Sequence, residues 1–147
     1  MPRQIFADEA FQNFGKGINC CMQVFGAVAE ELDLSVEEAR RLGAGFGGGM
    51  GLGSTCGCVT GALMALGYKY GNEEPDQSGQ ADLFNEKKSA FLTAFTGKYG
   101  GTRCPELLGG LNPAVPEDRE QIVEKGLMKS VCANAVCAAV EILRELL

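Results

Sequence analysis

Between Gly43 and Gly57 the chain places eight glycines in fifteen residues, GAGFGGGMGLGSTCG. Ordering so many glycines in a helix interior costs too much chain entropy. A helix therefore has to end near Gly43, pass into a tight loop and restart beyond it. What surrounds this loop is helical by pattern. Asp8 to Phe14 form a first short helix that stops near Gly15-Lys16-Gly17. Ile18 to Leu32 form a second, with Ile18, Cys21, Phe25, Val28 and Leu32 on one apolar face. Ser35-Val36-Glu37-Glu38 reads as a capping box that starts a third, carrying Ala39, Leu42 and Phe46 inward.

A fourth helix is expected from Cys58 to Tyr70, closed by Gly71, and a polar loop over 72–79. A fifth runs from Gln80 to Lys98 with Leu83, Phe84, Phe91 and Phe95 facing the core. Pro105 suits the first position of a short helix, which makes Cys104 its cap. Pro113 and Pro116 mark a linker. One long last helix is expected from Asp118 to Leu146, with Met128, Cys132, Val136, Ala139 and Leu143 on its apolar face. No segment alternates with period two, so the expectation for residues 1–147 is one all-α domain of five to seven helices around one core.

Composition narrows the chemistry. The chain has no His and no Trp, which excludes a Ser–His–Asp triad, a Cys–His pair and an HExxH zinc site. A net charge of −6, with no Lys/Arg cluster, argues against nucleic acid and against an anionic membrane as partners. The stretch Val59 to Leu66 is too short to span a bilayer. The opening MPRQIFADEAF lacks the apolar run of a secretory signal, so a cytoplasmic location is expected. GAGFGG at Gly43 to Gly48 matches GxGxxG, but no strand precedes it and no βαβ unit surrounds it. Glu37-Glu38, Glu73-Glu74 and Glu117-Asp118 are explained by helix starts and loops.

The remaining chemistry lies in seven cysteines: Cys20, Cys21, Cys56, Cys58, Cys104, Cys132 and Cys137. None belongs to a CxxC pair, which counts against a thioredoxin motif and a zinc ribbon. In a reducing compartment, metal binding or redox chemistry explains them better than structural disulfides. Cys56 and Cys58 lie where a glycine loop enters a helix, and Cys104 precedes Pro105. Free amides and the positive dipole end at such places favour thiolate. Cys21 reads as a small buried hydrophobe, Cys132 is ambiguous and Cys137 reads as an incidental surface thiol.

Gly17-Ile18-Asn19-Cys20, then GFGGGMGLGSTCGCVTGALMALGYKYG, then GTRCPELLG, then Cys132 before VEILRELL, together resemble the redox-active family named for its C_GCAxxG_C_C cysteine pattern. The resemblance covers residues 8–146. It places the family's four cysteines on Cys20, Cys56, Cys104 and Cys132 and its glycines on Gly57 and Gly61. Cys21 and Cys58 are additional thiols that depart from the pattern and are further candidate ligands. A similar domain in split-Soret-type cytochromes is associated with an iron–sulfur cluster. The resemblance thus implies a cluster held by these four cysteines, with Gly57 and Gly61 beside it, in electron transfer or redox sensing with a redox partner protein. Three other readings stay open: metal-free dithiol chemistry with Cys56 as the attacking thiolate, a four-cysteine structural zinc module, and a helical interaction domain able to form a homodimer.

Overall fold

The computed structural model describes residues 3–75 and 79–147, so residues 76–78 of the expected polar loop lie outside the described residues. Among the described residues the chain is helical, with seven helices of eight residues or more, one short helix and no strand. These are α1 (Ala7–Gly15), α2 (Cys20–Val28), α3 (Val36–Gly43), α4 (Gly57–Tyr70), α5 (Gln80–Tyr99), α6 (Cys104–Leu107), α7 (Pro116–Glu124) and α8 (Asn134–Leu146). Among the described residues the sole extended pairing is an isolated antiparallel bridge between Thr55 and Arg103.

The cap expected at Ser35 is present. Ser35 accepts from the Glu38 amide at 3.0 Å and starts α3. Asn19 accepts from the Met22 amide at 2.9 Å, so α2 begins at Cys20 and not at Ile18. α2 also ends early: Val28 is its last residue, and a single 3₁₀ turn, Glu30–Leu32, closes on Asp33 in the left-handed region.

α2 is the central helix, packed against α3, α4 and α8. Its Val24, Phe25 and Val28 are buried together with Val59 and Leu66 of α4, Phe91 and Phe95 of α5, and Val136 and Leu143 of α8. The rings of Phe91 and Phe95 stack at 5.7 Å. Two inward assignments fail. Leu42 is 58% exposed and Leu83 is 39% exposed. At Leu42 the reason is that its neighbour Gly43 takes the contact with α2, where a Cβ would stand 2.9 Å from the Met22 nitrogen. Close backbone approach outweighs an apolar side chain there.

The expected long last helix is broken. Gly126 takes a left-handed φ of +66°, and the helical pieces on either side meet at 77°. Beyond it, Met128–Ala133 is loosened to a π-type turn before α8 proper. The apolar face begins at Met128, beyond the break, and Lys125-Gly126 is a local stop signal. No single helix among the described residues is long and apolar enough to cross a membrane; only these two pieces, taken together across the bend, have the length and apolarity.

Gly97 offers a clean test of helix propensity. It lies on the exposed side of α5, and a Cβ there would meet nothing within 4 Å. Gly97→Ala is expected to stabilise the fold by about 0.5–1 kcal/mol, read as a higher urea midpoint at unchanged slope.

Candidate functional site

Three of the candidate cysteines sit at helix starts. Cys20 is the first residue of α2, Cys56 is the cap of α4 and Cys104 is the first residue of α6. Cys104 is thus one position further into its helix than the sequence pattern suggested, with Arg103 as the cap. Cys132 comes from the π-type turn that precedes α8.

Backbone pairing brings the second and third together. The Cys56 amide donates to the Thr102 carbonyl at 2.7 Å, and the Cys104 amide donates to the Ser54 carbonyl at 3.0 Å. The end of the glycine loop is thereby tied to the segment before α6. Cys20 is brought in by α2 and α4 packing backbone to backbone. A Cβ on Gly57 would lie 2.8 Å from the Cys21 nitrogen and 3.0 Å from the Cys20 Cβ. Gly61, one turn along, faces the Cys21 carbonyl oxygen at 2.9 Å on the same construction. Gly57 therefore borders the site, while Gly61 sets the distance between the two helices that carry it.

The result is one cavity of about 330 Å³ whose wall includes Cys20, Cys56, Cys104 and Cys132. Leu107, Leu108, Ile122 and Met128 make the rest of the wall largely apolar, and Gly48, Gly51 and Gly57 expose peptide groups to it without side chains. Gly48, Gly49, Met50 and Gly51 all have φ between +62° and +71°. This is a left-handed turn that glycine adopts freely and that an ordinary side chain resists. Gly49 has no alternative, because a Cβ there would stand 2.4 Å from the Ser54 nitrogen.

The other thiols fall outside the wall. Cys21 is buried and turned toward α3, its Sγ 3.1 Å from where a Gly43 Cβ would be. Cys58 is fully buried behind the wall, within hydrogen-bonding reach of Cys20 and Cys56. Cys137 is half-buried on α8. All seven cysteines are free thiols.

The thiols set one another's acidity. Cys56 and Cys58 donate hydrogen bonds to the Cys20 sulfur and hold it near a pKa of about 6, against the opposing effect of burial. Cys58 is pushed well above its ordinary value, first by its hydrogen bond to Cys20. Cys104 is pushed up by its hydrogen bond to Cys56, and burial pushes Cys132 up to about 12. Tyr99, held against Phe95 with ring centroids 4.9 Å apart, is raised to about 12 by burial and then by the nearby Cys58. Negative charge in the site thus concentrates on Cys20. The glycine-loop position had suggested Cys56 as the reactive thiolate; the contacts that acidify Cys20 come from a single distant segment, the start of α4, and have no local signature at Cys20.

Three supporting residues also lay beyond sequence reasoning. Asn19 caps α2 and also donates to the Gly43 and Ala44 carbonyls at 3.3 and 3.1 Å, clamping α3 beside the site. Arg119 places a guanidinium on the cavity wall and donates to the Pro113 carbonyl at 3.0 Å. Asp118 accepts from the Asn112 amide at 2.9 Å and holds the loop that closes one side.

The fold and site define a class: a small all-helical domain whose dispersed cysteines line one cavity. A family model described as "Putative redox-active protein (C_GCAxxG_C_C)" matches residues 18–146. The chain belongs to this family, as the spacing of Cys20, Cys56, Cys104 and Cys132 had indicated. The chain matches no curated protein and no solved structure.

Proposed function

We propose that this chain is a redox protein that holds an iron–sulfur cluster on Cys20, Cys56, Cys104 and Cys132 and exchanges electrons with a partner protein, as carrier or sensor. The observation that carries this reading is that four cysteines from four separate parts of the chain line one cavity of about 330 Å³. The donor set is all thiol, in a chain without His, and thiolates are the usual cluster ligands. A single zinc ion is less well supported. It needs donors set tetrahedrally about one point, and among the described residues no group of three or more His, Cys, Asp or Glu side chains could hold a metal ion. A cluster spans several metal atoms, so its thiolates need not converge on one point.

A bound cluster would supply one-electron chemistry. The chain's own residues set the conditions for it. Cys20 and Cys56 stand at the starts of α2 and α4, where unpaired amides and the positive dipole end suit an anionic group bound in the cavity. Arg119 adds a positive charge at the wall. Leu107, Leu108, Ile122 and Met128 exclude water, and low solvent access tunes a cluster's potential. Seven free thiols suit a reducing compartment such as the cytoplasm. The test is anaerobic purification with iron and sulfide analysis and a visible spectrum. Iron with acid-labile sulfide and absorption bleached by dithionite supports the reading; protein that takes up no iron on reconstitution overturns it.

The contacts among Cys20, Cys56 and Cys58 favour a second reading, dithiol chemistry in metal-free protein. Two thiols would give two electrons and two protons to a low-molecular-weight disulfide and form one S–S bond. Its starting point is measurable. Cys20 is lowered to about 6, so its thiolate is present above that pH and is lost as pH falls through it. Iodoacetamide trapping at Cys20 is expected to fall with a midpoint near pH 6, and Cys58→Ala, which removes one donor, is expected to move the midpoint upward. A midpoint at the ordinary thiol value of about 8.5 would refute the acidification.

A further inference from the structure

A second cavity, of about 450 Å³, opens among α1, α2, α3 and the end of α8 and shares no residue with the thiol wall. Its floor is Gln23, 3% exposed, which donates to the Ala10 and Ile18 carbonyls at 3.1 and 3.0 Å. Three arginines line it, and two are occupied. Arg3 pairs with Glu9. Arg144 donates to Glu31 at 3.2 Å and to the Ala27 carbonyl at 3.1 Å.

Arg40 is different. Its Nε is buried, and among the described residues it has no hydrogen-bond partner and no ion pair. The side chain lies over Gly26, where a Cβ would stand 3.5 Å from its Cγ and 3.7 Å from its Nε. A guanidinium cannot lose its proton to escape this position. A buried donor without an acceptor costs about 1–3 kcal/mol, so the position calls for an acceptor the chain does not supply. Of the three carboxylates on the wall, Glu9 and Glu31 are held by arginines and Glu30 is exposed to solvent. One cation is left free inside. With Glu9 and Glu31 paired, a dianionic phosphate would meet Glu30 and only the single charge of Arg40, which leaves it uncompensated. A planar monoanion matches both the charge and the fork of the guanidinium.

We propose that this cavity is a binding site for a small organic carboxylate, received by Arg40. The site is independent of the thiol cavity, and its test does not depend on what the cysteines bind.

The probe is benzoate, with benzamide as its uncharged isostere and inorganic phosphate as the competing anion. Each is titrated into the reduced, ¹⁵N-labelled full chain while the Gly26 and Ala27 amides and the Arg40 Nε–H are followed by NMR. Saturable shifts at these three groups with benzoate, at a dissociation constant of about 10 mM or tighter, support the proposal. Arg40→Gln should weaken benzoate at least tenfold, and Arg40→Lys, which keeps the charge without the fork, should lie between. No saturable shift, equal binding of benzamide, tighter binding of phosphate, or unchanged affinity in Arg40→Gln would each overturn it. Without ligand, Arg40→Gln should keep or raise the melting temperature, because it removes an unsatisfied donor. A marked fall would show that Arg40 serves the fold instead and would also overturn the proposal.

Discussion

If the proposed cluster is present, Cys56→Ser is expected to remove its iron and visible absorption while leaving the helical fold in place. Cys56 is the hub of the thiol group: it touches Cys20, Cys58 and Cys104 and stands on the cavity wall. Its backbone is held separately, by the amide bond to Thr102 at 2.7 Å, so the side chain can change without releasing the loop. A serine hydroxyl is a poor soft ligand, and loss of iron occupancy by more than about tenfold is expected. Circular dichroism should remain that of the parent. Cys137→Ser, away from the wall, should retain full iron. Cys58→Ala should also retain it, because Cys58 stands behind the wall and not on it. Iron retained by Cys56→Ser, with Cys58→Ala losing it, would show that the extra thiol is the true ligand.

The second large effect is expected at Gly61. Its Cβ would stand 2.9 Å from the Cys21 carbonyl oxygen, 3.2 Å from the Cys21 Cα and 3.3 Å from the Val24 Cβ. Two of these neighbours are helix backbone, which cannot swing aside as a flexible side chain can. Overpacking of this kind costs about 1–3 kcal/mol for small additions, and a β-branched side chain adds its own penalty in a helix. Gly61→Val is therefore expected to lose about 3 kcal/mol and to lower the melting temperature by roughly 10 °C. Because α2 carries Cys20, the displaced helix should lose iron as well. A Gly61→Val protein melting within about 2 °C of the parent would show that α2 and α4 can separate at little cost. The contrast with Gly97 is the sharper test. Both are helical glycines, yet one is expected to be stabilised by a methyl group and the other destabilised, because only one faces another backbone.

Much of the local structure was legible in advance. Ser35 as a cap, the extent of α4 and α5, and the inward faces of Phe25, Phe91 and Phe95 all follow from capping chemistry and the 3.6-residue period. The break at Gly126, where the pieces meet at 77°, had a signal in Lys125-Gly126, but the apolar face counted from Met128 onward says nothing about the chain before it. Leu42 and Leu83 misled for a related reason: a stripe shows which residues could face inward, not which contacts the neighbouring helices take up. For the site, Cys20, Cys56, Cys104 and Cys132 were marked by their family spacing, and all four line the cavity. Arg119, Asn19 and Tyr99 carried no comparable mark.

Residue order alone marks this chain as helical, marks its glycine run as a break in the helical order, and marks its cysteines as the candidate reactive groups. Those are consequences of residue type and short-range spacing. Tertiary structure alone decided which thiols meet, which of them is acidic and where an arginine is left without a partner. Cys20 and Cys58 lie 38 positions apart, and Arg40 and Arg144 lie 104 apart. Contacts between side chains, and a cavity shared by them, exist only once helix packing has brought such positions within a few ångströms.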